Sequence, residues 1–219
     1  MNSKIKTLCI YYAIFYIVWA VCELVIRGAI IQFAPEDGAL FPILFDWILK
    51  NLVWTVPAWI LMGKFDENLY IKRKQMFTNK VEPLKAVGVF AFVIFLASVN
   101  SIARNKGIAI AEDFNPAELL SYVFVGVSEE FVFRGLLLNA TYQEDKPYLT
   151  IGINAVLFLL IHFPIWIYSG IFASVFTGFG FITILVLSVI FSWSFLECKN
   201  ILIPIGIHML YDMLITILA

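Results

Sequence analysis

The sequence predicts an all-α membrane protein, a polytopic bundle of about seven and at most eight transmembrane helices around a buried polar cavity. Hydrophobic residues make up 62% of the 219 residues, mean hydropathy is +0.91, and only 14% of the residues are charged. A soluble domain is nearer half apolar and a quarter charged. The apolar residues also form successive runs long enough to span a bilayer, and several later runs contain carboxylates or histidines.

The first half of the chain predicts three spans, at about Leu8 to Ile26, Leu40 to Met62 and Leu84 to Ala103. The first run exceeds the apolar region of a signal peptide, and no small-residue cleavage pattern follows it, so we expect a retained transmembrane helix. The polar interval at about Gly63 to Pro83 has only the length of a loop. We therefore expect one integral membrane domain over residues 1–219.

Two pairs of opposite charge lie four residues apart in the first two spans. Glu23 and Arg27 close the first span, and Asp46 and Lys50 lie inside the second. Side chains at this spacing share a helix face and can form an ion pair. We expect two structural pairs here.

The second half predicts four further spans, at about Ala117 to Leu138, Tyr148 to Ile161, within Ile171 to Leu196, and Ile201 to Leu218. Between Phe163 and Phe179 the composition is irregular, with one proline and several glycines and serines. An eighth crossing or a re-entrant piece is the alternative prediction for that segment.

The distribution of basic residues predicts a cytoplasmic amino terminus, because inner loops of membrane proteins carry an excess of lysine and arginine. In this orientation the inner segments hold Lys4, Lys6, Lys64, Lys72, Arg73, Lys74, Lys80, Lys146 and Lys199, and the outer segments hold Arg27, Arg104 and Lys106. The net charge of −1 gives no reason to expect a nucleic-acid partner.

Glu129, Glu130 and Arg134 place three charges in the middle of an otherwise apolar span. Each charge at a helix centre costs about 2.5–3.5 kcal/mol on an insertion scale, while a Leu, Phe or Val returns about 0.3–0.6 kcal/mol. Glu130 and Arg134 are four residues apart and can pair on one face. Glu129 is rotated by about 100° from Glu130 and is free to face a cavity. The default interpretation of such charges is a functional site, with a purely structural ion pair as the alternative.

Two histidines, His162 and His208, lie in or at the end of later apolar spans. Asp212 shares a helix face with His208, so it could orient that imidazole or meet a substrate beside it. Phe158 lies one turn before His162 and is expected to form an apolar wall. Polar groups at similar depth on three helices would each need a partner in hydrocarbon, so we expect one convergent site.

Three motifs in order, Glu129-Glu130-x-x-x-Arg134, Phe158-x-x-x-His162 and His208-x-x-x-Asp212, resemble those of the CPBP family. This family comprises CAAX-protease-like and bacteriocin-processing (Abi) intramembrane proteases. The resemblance covers residues 116–219, taken as the catalytic core, and the first hundred residues resemble the family in hydropathy only. It implies that Glu129 with His162 activates a water, and that His208 with the residue at 212 stabilises the oxyanion.

Asp212 departs from the family pattern, which frequently has Asn at this position. An amide can donate a hydrogen bond to an oxyanion, whereas an ionised carboxylate cannot. Asp212 is therefore protonated, or orients His208, or helps to hold a metal. The favoured expectation is that no cofactor is required. The alternative is a divalent metal such as zinc on His162, His208 and Asp212, with Glu129 nearby.

The function that the resemblance implies is an intramembrane endopeptidase that cleaves a peptide or protein substrate at the membrane. The substrate could be lipidated or carry a leader peptide, and the short chain favours bacterial members linked to bacteriocin immunity or peptide maturation, in a bacterial plasma membrane. Two alternatives belong to other classes: a non-enzymatic immunity or peptide-binding protein, and a proton-coupled transporter that uses buried Glu and His as a relay. The chain shows no repeated halves of the kind found in many transporters.

Overall fold

The computed structural model of the protein describes residues 3–105, 107–108, 110–111, 114–116 and 118–218. All regular structure within these residues is helical, which confirms the predicted all-α class. Lys106, assigned above to an outer loop, and Ala117, assigned to the start of the fourth span, lie outside the described residues.

The helices that build the fold are α1 (Ser3–Ile31), α2 (Pro42–Lys64), α3 (Pro83–Asn105), α4 (Glu118–Glu130, continued through Phe131–Leu138), α5 (Pro147–Leu160), α6 (Phe163–Tyr168), α7 (Phe172–Thr177), α8 (Gly180–Cys198) and α9 (Leu202–Ile217). Single helical turns at Asp66–Asn68, Gln75–Thr78 and Asn139–Thr141 lie in the connections. The backbone is π-helical within α1 at Cys22–Ile26, within α2 at Pro42–Leu49 and Asn51–Thr55, and over Phe131–Leu138.

Within the part of the chain that the structure describes, five segments are long and apolar enough to cross a membrane: Ser3–Ile31, Pro42–Lys64, Pro83–Ala103, Pro147–Tyr168 and Gly180–Cys198. Helix α9 is also apolar but shorter. Large apolar side chains remain exposed on the outside of the bundle, among them Ile17, Leu84 and Phe95. An apolar exterior around apolar helices is typical of a multi-pass membrane protein.

The segment with irregular composition forms the two short helices α6 and α7. Each has six residues, so each is about 9 Å long and neither can cross a hydrocarbon core of about 30 Å. Gly170 lies between them with φ of 69°, a left-handed conformation that glycine adopts without strain. Helix α6 continues the long segment Pro147–Tyr168 and α7 has only six residues, so neither helix forms a crossing by itself.

The loops meet at two opposite ends of the bundle. At one end, here called the lysine-rich end, Lys4 Nζ donates to the Asn68 carbonyl at 3.1 Å and Asn79 Nδ2 donates to the Lys199 carbonyl at 2.9 Å. At the other, here called the acidic end, Asn115 Nδ2 donates to the Asp37 carbonyl at 2.7 Å. These contacts show which loops lie together at each end of the bundle.

Helix α4 lies between α2 and α9, and small side chains let α4 and α9 approach each other closely. A Cβ built on Gly126 would come within 2.6 Å of Met209 Cγ and 3.5 Å of the Ile205 carbonyl oxygen. Only glycine fits this contact without a shift of Met209. The close approach places the polar residues of α4 opposite those of α9.

Side chains from neighbouring helices bind the backbone of the π-helical part of α4. The Tyr12 hydroxyl donates to the Val132 carbonyl at 2.7 Å, and Asn154 Nδ2 donates to the Phe133 carbonyl at 2.8 Å. π-Helical segments loosen the local backbone hydrogen bonding and occur frequently at functional sites. In an apolar environment such carbonyls need partners, and α1 and α5 supply them.

Candidate active site

The double glutamate of α4 lies in the interior of the bundle. Glu129 is 6% exposed, and Glu130 and Arg134 are fully buried. Burial of this degree requires that each charged group has a partner, because an unpaired charge in an apolar interior is very costly. Glu129 and Glu130 meet this requirement with different partners.

Glu130 is the centre of a buried network that includes Arg134 and His208. Its Oε1 accepts from Arg134 Nη1 at 3.0 Å and lies 2.8 Å from His208 Nδ1. Arg134 Nη2 donates to the Ser188 carbonyl at 3.0 Å and contacts the Ser188 hydroxyl at 2.8 Å. The predicted Glu130–Arg134 contact is therefore present, and it extends to α8 and α9.

Phe158 completes the surroundings of this network. The Arg134 guanidinium lies 4.4 Å from the centroid of the Phe158 ring, a distance suited to a cation–π interaction. The same ring contacts the His162 imidazole edge to face, with the ring centroids 5.2 Å apart. Phe158 thus separates the buried guanidinium from His162, and it lies where the sequence predicts an apolar wall.

Glu129 pairs with Lys50 of α2. Lys50 Nζ donates to Glu129 Oε1 at 2.7 Å, and both side chains are buried. The expected Asp46–Lys50 structural pair is wrong, since Asp46 instead accepts from the Ser121 hydroxyl at 2.7 Å. Both carboxylates are buried, and the packing of α4 against α2 brings Glu129 within hydrogen-bond distance of Lys50. The other expected pair, Glu23 with Arg27, is present at 2.6 Å.

The two ring nitrogens of His208 contact different residues. Nδ1 is in contact with Glu130, whereas Nε2 lies 3.4 Å from Asp212 Oδ2 and 3.9 Å from Glu129 Oε2. The imidazole is stacked on Phe191, with centroids 4.7 Å apart and an angle of 22° between the rings. These contacts fix the ring so that Nε2 faces Glu129 and Asp212.

His162 occupies the junction between α5 and α6. Its Nδ1 lies 3.1 Å from the Phe158 carbonyl, and its ring packs between Phe158 and Trp166. The imidazole is half-buried, and it is close enough to Glu129 to interact with it electrostatically. His162 is therefore positioned by residues of the two helices that it joins, α5 and α6. His208 is instead positioned by side chains of α4 and α8.

A cavity of about 620 Å³ at the acidic end reaches the edge of this cluster. Its lining residues with charged side chains are Arg27, Glu36, Asp37, Asp46, Glu118 and Asp212. Arg27 is neutralised by ion pairs with Glu23 and Glu36, so carboxylates dominate the lining. Through Asp212 the cavity connects a polar end of the bundle with Nε2 of His208.

The fit of the cluster to a metal ion can be tested from its donors. Within residues 3–105 and 118–218, no three His, Cys, Asp or Glu side chains are gathered closely enough to hold one. The contact of His162 Nδ1 with a backbone carbonyl leaves its Nε2 without an assigned role. The zinc alternative stays a prediction, and no step of the mechanism proposed below involves a metal.

The fold and the cluster define a class of protein: a helical membrane protein with glutamates and histidines brought together between its helices. Residues 114–214 match the family model described as type II CAAX prenyl endopeptidase Rce1-like. This match confirms the resemblance to the CPBP family over the segment that contains the three motifs. It supports a membrane protease as the general class of this protein. The comparisons with curated proteins and with solved structures gave no match.

Sequence reasoning did not identify Lys50, Ser188 or Phe191 as parts of the site. Lys50 has a convincing local partner at i−4, which concealed its contact with α4. A signal was available, because a lysine in the middle of an apolar span is itself expected to be functional. Ser188 and Phe191 are ordinary residues of an apolar helix, and no sequence pattern distinguishes them.

Proposed function

We propose that the protein is an intramembrane endopeptidase that hydrolyses a peptide bond with a water activated by Glu129 and His162. The observation that carries the proposal is the arrangement of Glu129 and His208, whose Oε2 and Nε2 atoms lie 3.9 Å apart in a buried cluster. The proposed base and the proposed hydrogen-bond donor thereby face each other. The endopeptidase description of the matched family supports the same chemistry.

In the proposed mechanism, the Glu129 carboxylate takes a proton from the water while the water oxygen attacks the scissile carbonyl carbon. His162 orients the water. The electron pair of the carbonyl double bond moves to its oxygen and forms an oxyanion. Collapse of this intermediate breaks the carbon–nitrogen bond, and the proton on Glu129 passes to the departing nitrogen. The products are an amine and a carboxylic acid, and Glu129 returns to its ionised form.

His208 is proposed to stabilise the oxyanion through Nε2–H. Glu130 Oε1 is paired with Arg134 and accepts from His208 Nδ1–H at 2.8 Å, so a second proton on Nε2 makes His208 an imidazolium, which is the form proposed here. A preorganised donor of this kind stabilises the charge that develops in the transition state. Asp212, 3.4 Å from Nε2, then accepts that hydrogen between turnovers. This assignment leaves Asp212 ionised and explains how an acidic residue can stand where the family frequently has Asn.

We further propose seven transmembrane spans, with α4 and α9 completing the five long apolar segments. Helix α4 can span the membrane although charged residues interrupt its apolar sequence, because those charges are paired inside the bundle. We assign the lysine-rich end, with the amino terminus, to the cytoplasm of a bacterial cell, because inner loops of membrane proteins carry an excess of lysine and arginine. The acidic end and its cavity then face the opposite side of the plasma membrane.

The proposed substrate is a peptide or protein that reaches the site from the bilayer. A leader peptide or a lipid anchor would hold this substrate at the membrane. A role in bacteriocin immunity or peptide maturation is the corresponding biological proposal. It rests on analogy with the family, since a fold alone does not define a substrate. The reaction is proposed to need no metal ion.

The proposal is tested by mass spectrometry of membrane and secreted peptides from cells that contain wild-type protein or Glu129→Gln. The matched control is Glu144→Gln, which makes the same substitution in an exposed loop. We expect a set of peptides present with wild type and Glu144→Gln but lost with Glu129→Gln, at equal protein levels in the membrane.

Identical peptide sets for wild type and Glu129→Gln would overturn the proposal. The non-enzymatic immunity or peptide-binding protein would be indicated if three variants protect cells against a bacteriocin as well as wild type does. These variants are Glu129→Gln, His162→Ala and His208→Ala. Proton-driven uptake in proteoliposomes would identify the transporter.

A further inference from the structure

Lys50 is a buried cation that comes from outside the segment matched by the family model. It lies on α2, whereas the match covers residues 114–214. Its side chain is only 4% exposed, and that of its partner Glu129 is 7% exposed. A charged residue of the first half of the chain is thus in direct contact with the proposed base.

Two tryptophans enclose the Lys50 ammonium. Nζ lies 4.5 Å from the centroid of the Trp54 ring and 5.3 Å from that of Trp19. Trp54 is fully buried and packs edge to face on Trp19, with ring centroids 4.7 Å apart. The aromatic faces stabilise the cation electrostatically and hold it in one place. Lys50 is therefore a fixed donor and not a flexible surface side chain.

Stability of α2 alone does not account for a lysine at this position. An apolar residue of similar length would insert into a membrane at lower cost, and replacing a buried ion pair by apolar groups is frequently neutral or stabilising. The lysine makes its one strong contact with Glu129 Oε1, at 2.7 Å. Its presence is explained if Glu129 must be held as a charged and oriented group.

We infer that Lys50 is a positioning residue for Glu129: it holds Oε1 and thereby directs Oε2 toward His208 and the reacting water. This inference rests on the proposed function, in which Glu129 is the base. The two carboxylate oxygens have separate surroundings, with Lys50 at Oε1 and His208 Nε2 at 3.9 Å from Oε2. A carboxylate anchored through one oxygen presents the other in a defined direction, whereas an unanchored one can rotate about its terminal torsion.

The test compares Lys50→Met, Lys50→Gln and Lys50→Arg with Lys64→Met, which makes the same change at an exposed position of the same helix. The probe is a fluorogenic form of the peptide whose cleavage distinguishes wild type from Glu129→Gln. We expect kcat to fall roughly 10- to 100-fold in Lys50→Met with KM little changed, because displacement of a catalytic group by about 1 Å can cost 100-fold. Lys50→Arg retains charge and donor and should restore most of the rate. Lys64→Met should behave as wild type.

A purely structural role would give a different pattern. It would lower the amount of folded protein while leaving kcat per folded molecule unchanged, or would lower kcat equally in Lys50→Arg and Lys50→Met. If Lys50→Met does not fold, Lys50→Gln supplies the comparison, since it keeps a hydrogen-bond donor and loses only the charge. Wild-type kcat in the folded uncharged variants would overturn the inference.

A second measurement needs no substrate. Thermal unfolding in detergent should show that Lys50→Met lowers the melting temperature of the wild-type protein, because the Glu129 carboxylate loses its partner. In the Glu129→Gln background the same substitution should lower it much less, because position 129 then carries no charge. Equal shifts in both backgrounds would contradict a direct Lys50–Glu129 interaction. If no peptide distinguishes wild type from Glu129→Gln, the proposed function fails, and the inference fails with it. If such a peptide exists but Lys50→Met cleaves it normally, the inference alone fails.

Discussion

Glu130, and not Asp212, engages Nδ1 of His208, with 2.8 Å between the Glu130 Oε1 and His208 Nδ1 atoms. The partner of a histidine on one nitrogen determines what the other nitrogen can do. Here the carboxylate adjacent to the proposed base positions the proposed oxyanion donor on another helix. Neighbouring glutamates point about 100° apart on a helix, so the pair can serve two partners at once.

Glu130→Gln is expected to destabilise the protein by about 3–5 kcal/mol, the usual effect of removing one partner of a buried ion pair. The substitution leaves the fully buried Arg134 guanidinium without a carboxylate. Reversible unfolding in detergent measures the difference. Glu67→Gln is the matched control, because Glu67 pairs with Lys72 at the exposed surface and should leave stability unchanged. Equal stability of Glu130→Gln and wild type would contradict the buried network.

Asp212→Asn is expected to keep peptide-cleaving activity within several-fold of wild type. The asparagine oxygen can still accept from His208 Nε2, and its amide can donate to an oxyanion. Asp212→Ala removes the acceptor that orients His208 Nε2 and should lower kcat by roughly 10- to 100-fold, less than the loss of the oxyanion donor itself. Cleavage assays on the two purified variants make the comparison. Full activity of Asp212→Ala would show that Asp212 has no part in the reaction.

Gly126→Ala is expected to destabilise the contact between α4 and α9 by about 1–3 kcal/mol, the usual cost of overpacking. Its Cβ would lie 2.6 Å from Met209 Cγ, so the methionine must move. Met209→Ala should therefore rescue most of the loss. Gly152→Ala in α5 is the control, since a Cβ there meets nothing within 4 Å. Comparable loss in both glycine variants would refute the close approach of the two helices.

Chelation by phenanthroline is expected to leave peptide cleavage unchanged. The proposed mechanism uses no metal, and Lys50 already neutralises Glu129. Rates before and after prolonged chelation, and after addition of zinc, provide the measurement. Loss of activity that zinc restores would establish a metal-dependent enzyme instead.

The second half of the chain was well suited to prediction from sequence. Charges and histidines inside apolar runs are rare, and the cost of each one in hydrocarbon requires that they find one another. The i,i+4 spacing of Glu130 and Arg134 gave their contact directly, and the structure contains it at 3.0 Å. The roles proposed for Glu129, His162, His208 and Asp212 stay predictions until the variants are measured.

The first half was predictable only as membrane helices. Local spacing joined Asp46 to Lys50, but a lysine in an apolar interior pairs with the carboxylate that the folded bundle brings to it, and that depends on helix packing. Helical spacing describes neighbours within one helix and contains no information on which helix lies opposite. The π-helical segments have the same limitation, because the donors that satisfy the Val132 and Phe133 carbonyls come from α1 and α5.

These two carbonyl contacts also fix α4 along its own axis. Tyr12 and Asn154 hold Val132 and Phe133 from two sides, just beyond the double glutamate. Sliding of α4 by one residue, about 1.5 Å, would break both hydrogen bonds in an environment without water to replace them. Glu129 therefore stays at a constant depth in the bilayer. With Glu129 as the proposed base, a substrate would have to bring its scissile bond to that depth, and the distance of the cleaved bond from the membrane surface would be set by the protein.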